Sequence, residues 1–223
     1  MNYTEQLCKS ELISSKTLLF LRIFSVIAHI VAVVLGLYTR RKIFIYQFTN
    51  WANTMTTIYS ILVLFININY SKNVTISYQR VSRLALRILR VFAPLHTLVT
   101  LTFWPFCFKN ANLSHGIYDQ VYFVFSHGVT LFFLVIEIAC LNFRMKWFNM
   151  YQQLVIFLYG IVMLNLYHRT GIQVYTFMHL EKSENFKYLF SFFPIIVIFN
   201  LLFTFVTVTI RRIIKKQNSK SLK

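Results

Sequence analysis

Two side chains that could act together as a nucleophile and a general base lie inside long apolar stretches of this sequence. Thr49 carries a hydroxyl and His127 an imidazole. A threonine hydroxyl is a weak nucleophile unless a neighbouring base takes its proton, and a neutral histidine can do so. The pair would suit attack on an ester carbonyl. A buried threonine and histidine can instead serve only to satisfy each other or a backbone carbonyl.

The elements that must position these residues are membrane-spanning helices. Apolar residues make up 57% of the 223 residues, and charged residues only 13%, whereas a soluble domain has about 25%. Apolar runs recur along the chain, and about twenty apolar residues suffice to cross a bilayer. We predict an all-α integral membrane protein with six transmembrane helices in a single bundle. The predicted spans are 17–38, 43–69, 91–108 (interrupted by Pro94 and Pro105), 121–143, 148–168 and 189–210.

Basic residues predict the orientation of these spans. The net charge of +17 falls between the apolar runs and in the tail, which argues for membrane orientation and against a nucleic-acid surface. With a cytosolic N-terminus, 15 Lys and Arg residues lie on the cytosolic side and 7 on the other. We therefore predict a cytosolic N-terminus (1–16), a six-helix hydrolase-like transmembrane domain (17–210) and a basic cytosolic tail (211–223).

This topology places polar groups from separate spans in one layer of the membrane. The second and fourth spans both enter from the outer side, so Thr49 and His127 each lie about six residues, or roughly 9 Å, below the outer boundary. Trp104 and His168 mark the outer ends of the third and fifth spans. Polar groups are costly in lipid, so each needs a partner or a role. The sequence predicts a site in this layer.

Two charged residues lie at matched depth near the cytosolic side. Arg22 is about five residues from the inner end of the first span, and Glu137 about six from the inner end of the fourth. Opposite charges at one depth lower the cost of burying each other. We predict a structural ion pair. The three cysteines lack the spacing of a metal site, and we predict no metal.

Four arginines recur at spacings of three, four and three residues in the predicted link 71–90. They are Arg80, Arg83, Arg87 and Arg90. On a helix this spacing puts them on one face. Either a helix on the membrane surface meets anionic lipid there, or the row reflects only the bias of basic residues towards the cytosol. On the outer side, Asn112 lies in a glycosylation sequon.

Short motifs along most of the chain resemble those of one membrane-protein family. They are Phe48-Thr49-Asn50-Trp51-Ala52-Asn53, Pro94 followed by Phe103-Trp104, Ser126-His127-Gly128-Val129-Thr130 followed by Glu137, and His168-Arg169-Thr170-Gly171 through Tyr175. In this order they resemble the family of the androgen-induced gene 1 protein and the androgen-dependent tissue-factor-pathway-inhibitor-regulating protein.

The resemblance implies a six-span hydrolase that cleaves fatty acid esters of hydroxy fatty acids. It places the nucleophile at Thr49 and the histidine at His127, and it implies no cofactor. We expect Asn50, Asn53, Trp104 and His168 to position substrate, water or the oxyanion.

The chain departs from the family pattern at Val124, Gln173 and Thr176. A divergent member, or one that has lost activity, fits these departures. The expected partners are a fatty acyl ester and membrane lipids, in the plasma membrane or an endomembrane such as the endoplasmic reticulum. The alternative is a non-catalytic multi-span protein, either a lipid-binding regulator or a small transporter.

Overall fold

A computed structural model describes residues 3–10, 12–70, 76–108, 113–141 and 149–172, with parts of 194–216. The described chain is helical, and five of its helices are long and apolar enough to cross a membrane. This finding supports the predicted all-α, multi-span membrane protein. The predicted sixth span, 189–210, lies partly outside the described residues, as do Asn112, Gln173 and Thr176.

The helices are numbered in chain order. They are α1 (Tyr3–Cys8), α2 (Ser15–Thr39), α3 (Phe48–Asn69), α4 (Ile76–Thr102), α5 (Ile117–Val124), α6 (Thr130–Cys140) and α7 (Met150–Thr170). A π-helical turn, Phe103–Cys107, follows α4, and a second, Phe125–Val129, joins α5 to α6. That second turn keeps Ile117–Cys140 a single span.

Local sequence signals explain where the first span begins and where the fifth span begins and ends. The Ser14 side chain accepts a hydrogen bond from the Thr17 backbone N–H at 3.1 Å and caps α2. Asn149 caps α7 in the same way through the Tyr151 N–H. Gly171 has a φ of 67°, a left-handed conformation that ends α7 at low steric cost.

The second span begins later than its apolar run predicts. Phe44–Tyr46 forms a 3₁₀ turn, and α3 starts at Phe48 rather than at residue 43. Side chains from elsewhere hold this turn: the Tyr159 hydroxyl donates to the Tyr46 carbonyl at 2.7 Å, and the Trp51 indole N–H donates to the Ile45 carbonyl at 2.6 Å. These contacts satisfy carbonyls that a continuous helix would have used.

The third span differs most from its prediction. Residues 76–90 were expected to form a link, but they are the first half of α4, which runs unbroken through Pro94. Proline has no N–H for the carbonyl four residues before it, here that of Arg90. The Gln152 side-chain amide donates to that carbonyl at 2.8 Å instead. The prediction that Pro94 interrupts the span was wrong because a neighbouring helix supplies the missing donor.

The N-terminal segment packs against the end of the bundle that the sequence predicts to face the cytosol. The Thr4 and Ser82 hydroxyls lie 3.0 Å apart, and Leu7 and Cys8 are buried. The Ser10 hydroxyl donates to the Cys140 carbonyl at 2.8 Å. This segment therefore closes the end of α4 and α6, an arrangement that its polar composition did not predict.

A mutual amide pair joins α7 to the described part of the last predicted span. The Asn200 amide donates to the Gln152 side-chain oxygen at 2.7 Å, and the Gln152 amide donates to the Asn200 side-chain oxygen at 3.2 Å. Both side chains are fully buried. Buried amides in an apolar bundle need such partners, so this pair fixes residue 200 against α7.

Candidate active site

Three side-chain contacts set the register between the second and fourth spans. The Tyr122 hydroxyl donates to the Asn50 side-chain oxygen at 2.8 Å, Thr130 contacts Asn53 at 3.5 Å, and the Tyr59 hydroxyl donates to Glu137 at 3.2 Å. Residue numbers rise together on both helices, so the two spans run parallel. Thr49 adjoins the first contact, and His127 lies between the first and second. Parallel spans in this register place both residues towards the same end of the bundle.

His127 sits in the π-helical turn of the fourth span. Its ring is stacked on that of Phe103, with centroids 3.7 Å apart and an interplanar angle of 0°. The residue is buried, and its Nδ1 atom has no hydrogen-bond partner among the described residues. Such turns are rare and occur frequently at functional sites. The aromatic stack fixes the plane of the ring and leaves Nδ1 uncommitted.

The carbonyls of this turn are bonded by side chains. The Trp104 indole N–H donates to the His127 carbonyl at 3.1 Å, and Trp104 itself lies in the other π-helical turn. His96 Nε2 lies 3.0 Å from the Ser126 carbonyl and 3.1 Å from the Thr130 hydroxyl. The Nε2 atom must carry the proton to donate to that carbonyl. His96 and Trp104 therefore brace the turn that carries His127.

Thr49 and Asn53 are one helical turn apart on the buried face of α3, where they are 6% and 1% exposed. The Asn53 side-chain Nδ2 is buried with no partner among the described residues. Within that part of the chain, no hydrogen bond joins the Thr49 hydroxyl to the His127 ring. The structure thus places the two residues in parallel spans at corresponding heights without a direct bond between them.

Asn50 and His168 are placed differently from the other predicted positioning residues. The Asn50 Nδ2 donates to the Phe44 carbonyl and to Gln47, each at 3.0 Å, and its oxygen accepts from Tyr122. Its polar atoms therefore hold the start of α3. His168 is exposed on the last turn of α7, and the centroid of its ring lies 6.1 Å from that of Tyr167. Its described contacts reach neither Thr49 nor His127.

Arg22 and Glu137 form a buried ion pair with an Nη2–Oε1 distance of 2.7 Å. The Arg22 guanidinium also donates to Asn67 at 2.8 Å and to the Leu7 carbonyl at 2.6 Å. A small cavity beside the pair has room for about one water molecule. It is also lined by Ser25, Tyr59, Ser60, Val63 and Leu134. This cavity lies along the core from the candidate site and does not include Thr49 or His127.

A second buried ion pair, between Arg40 and Asp119, was missed in the sequence. Their nitrogen and oxygen atoms are 3.1 Å apart, and the side chains are 9% and 0% exposed. The Arg40 guanidinium also lies 5.0 Å above the Phe123 ring, which contacts the His127 ring. Arg40 follows the first apolar run and Asp119 precedes the fourth. The matched-depth argument that paired Arg22 with Glu137 applies equally to this pair.

Several buried polar atoms have no hydrogen-bond partner among the described residues. These atoms include His29 Nε2, Asn53 Nδ2, His96 Nδ1, Ser126 Oγ and His127 Nδ1. No three His, Cys, Asp or Glu side chains in the described part are placed to hold a metal ion.

Comparison with models of protein families, with characterised proteins and with solved structures finds no match to this chain.

Proposed function

We propose that this protein is an intramembrane hydrolase that cleaves lipid esters, with Thr49 as nucleophile and His127 as general base. The observation that carries the proposal is the way in which the ring of His127 is held. Its ring is held by an aromatic stack in a buried π-helical turn, its Nδ1 atom has no described partner, and the adjoining span runs parallel with Thr49 on its first turn. Catalytic hydrogen bonds are often loose without substrate and tighten in the Michaelis complex.

The reaction proceeds in two halves. The Thr49 oxygen attacks the ester carbonyl as a ring nitrogen of His127 takes the hydroxyl proton. The oxyanion collapses, the carbon–oxygen bond to the alcohol breaks, and His127 gives its proton to the departing alkoxide. Water then attacks the acyl-threonine with His127 again as base. The fatty acid leaves and the Thr49 hydroxyl is restored.

Asn53 is the best-placed donor for the oxyanion. Its Nδ2 atom is buried without a described partner, one helical turn from Thr49. A preorganised donor of this kind contributes about 3–4 kcal/mol to stabilising such a transition state. Asn50 is already engaged by three other groups, so it has a supporting role.

The surroundings of the site and the family resemblance support our choice of substrate class. Aromatic and apolar side chains enclose His127, so a long-chain ester suits it better than a polar one. We propose fatty acid esters of hydroxy fatty acids, entering sideways from the outer leaflet past the partly exposed Trp104. The proposal includes six spans, cytosolic termini, and residence in the plasma membrane or an endomembrane.

A fluorophosphonate probe on membranes that contain the protein tests this function. The parent protein is expected to be labelled, and Thr49→Ala is not. Thr56→Ala is a matched control, because that buried hydroxyl donates within its own helix to the Ala52 carbonyl at 2.9 Å. Thr56→Ala should label like the parent. Equal labelling of Thr49→Ala and parent, or no labelling and no ester turnover in any of them, contradicts the proposal.

A non-catalytic role is the second candidate, and the cavity beside Arg22 and Glu137 is the observation that favours it. Ionisable residues inside a membrane often line a path or binding site for polar solutes, and this pair adjoins a water-sized cavity. Under that role, Thr49→Ala would leave function intact, whereas Glu137→Gln would abolish it. Measuring ester turnover and solute uptake for both variants in the same vesicles separates the two functions.

A further inference from the structure

The first half of α4 carries a row of arginines that pair with no carboxylate in the described part of the chain. Arg80, Arg83 and Arg87 are exposed, whereas Ala85 and Leu89 on the opposite face are fully buried. In the described part of the chain, every carboxylate is already paired with another base. These pairs are Glu5 with Lys9, Asp119 with Arg40, and Glu137 with Arg22. The protein therefore offers this row no described counter-charge.

The length of α4 places the row at the depth of the lipid headgroups. The helix has 27 residues, which corresponds to about 40 Å. That length exceeds the roughly 30 Å hydrocarbon core and matches the bilayer with its headgroup regions. Arg80 to Arg87 spans about 10 Å near the start of the helix. The 20 residues from Ile88 through the π-helical turn that ends at Cys107 span about 30 Å and can cross the hydrocarbon core, which leaves the guanidinium groups in the headgroup region.

Two further features shape this surface. The Arg83 guanidinium lies 5.1 Å above the Tyr3 ring, which holds that side chain against α1. Leu84 stands beside the arginines and is 51% exposed. A leucine between exposed cations suits a surface that is charged at the headgroups and apolar just below them.

We propose that Arg80, Arg83 and Arg87 form a binding surface for anionic phospholipid headgroups in the leaflet that adjoins this end of α4. Guanidinium groups bind phosphate through paired N–H donors, and three in a row can engage neighbouring headgroups. The proposal rests on membrane insertion of α4 and is independent of the catalytic role of Thr49 and His127. A bias of basic residues towards one side of the membrane would instead need no bound lipid.

Native mass spectrometry of the purified full-length protein tests this proposal, with phosphatidylserine and phosphatidylcholine titrated separately. Arg80→Gln with Arg87→Gln is compared with Arg41→Gln with Lys42→Gln, which removes two exposed positive charges beyond the far end of α2. Each arginine at the surface should strengthen phosphatidylserine binding about fivefold. The first double variant should therefore bind it roughly 25-fold more weakly, and the control should bind it like the parent.

Several outcomes would overturn the proposal. Equal phosphatidylserine binding by the two double variants would leave only the orientation bias. Equal binding of phosphatidylserine and phosphatidylcholine by the parent would remove the charge selectivity. Inorganic phosphate that displaces phosphatidylserine at a similar concentration would assign the surface to free phosphate. Gel filtration of every variant at the parent's elution volume shows that weaker binding does not come from misfolding.

Discussion

Replacing Glu137 by glutamine removes the carboxylate that pairs with Arg22 inside the bundle. Removing one partner of a buried ion pair costs about 3–5 kcal/mol, because the other charge stays buried without compensation. In this variant Arg22 keeps two neutral acceptors, Asn67 and the Leu7 carbonyl. We therefore expect a loss near 3 kcal/mol. In Arg22→Met, Glu137 keeps only the described donor Tyr59 at 3.2 Å, and the expected loss is near 5 kcal/mol.

The assay is unfolding in mixed micelles by titration with sodium dodecyl sulfate, monitored by far-ultraviolet circular dichroism. The double variant Arg22→Met with Glu137→Gln completes a cycle. It leaves no buried charge at this site, so its loss should be smaller than the sum of the two single losses by several kcal/mol. The reasoning is refuted if Glu137→Gln is as stable as the parent, or if the two single losses simply add.

Three further predictions concern packing, backbone bonding and pH. Gly36→Ala puts a Cβ atom 3.0 Å from two aromatic rings and should cost about 1–3 kcal/mol in the same unfolding assay, whereas Gly128→Ala meets nothing within 4 Å and should not destabilise. Gln152→Leu should cost about 1–3 kcal/mol, because the Arg90 carbonyl loses its 2.8 Å bond and retains the longer 3.4 Å bond from the Asn149 amide. It should cost less in a Pro94→Ala background, where a backbone N–H replaces the lost amide, and equal costs in both backgrounds would contradict this. Burial raises the pKa of the Cys8 thiol from 9.0 to about 11, so its contribution to stability is present below pH 9 and lost as the pH rises towards 11. At pH 8, maleimide should label Cys8 of the folded protein slowly until detergent unfolds it, as measured by mass spectrometry of the peptide that contains Cys8. Rapid labelling of the folded protein would contradict the burial.

The fold was predictable where the apolar pattern and the local caps agree. The first span was predicted within two residues at each end, because an apolar run follows Ser14 and stops before the basic residues that begin at Arg40. The start of the second span was not predictable, since Phe44–Tyr46 is as apolar as the helix that follows. Contacts from Asn50, Trp51 and Tyr159 to its carbonyls hold it as a separate turn.

The third span shows why charge alone misplaces a helix boundary. Its arginines predict a polar link between two spans, but the residues between them bury a continuous apolar face. Pro94 predicts an interruption, but the side-chain amide of Gln152, 58 positions later in the sequence, donates to the Arg90 carbonyl that proline leaves without a helical donor. The sequence around Pro94 does not indicate that a hydrogen-bond donor is supplied by another span.

Part of the candidate site was predictable from topology. Parallel second and fourth spans follow from alternating crossings, and they put Thr49 and His127 at corresponding heights. The π-helical turn was not predictable, because it depends on bonds from His96 and Trp104 to carbonyls near His127. The availability of Asn53, in contrast to the engaged Asn50, also depends on which partners the packed bundle supplies.

The most direct test of the proposed hydrolase is the detection of an acyl group on Thr49. Membranes that contain the protein are incubated with a fatty acid ester of a hydroxy fatty acid, quenched in acid, digested and analysed by mass spectrometry. His127→Gln is analysed in parallel, and Thr56→Ala serves as the control. We predict a fatty acyl mass on the peptide that contains Thr49 in the parent and in Thr56→Ala, and none in Thr49→Ala or His127→Gln. Ester turnover that persists in Thr49→Ala, or an acyl group on another residue, would contradict the central claim.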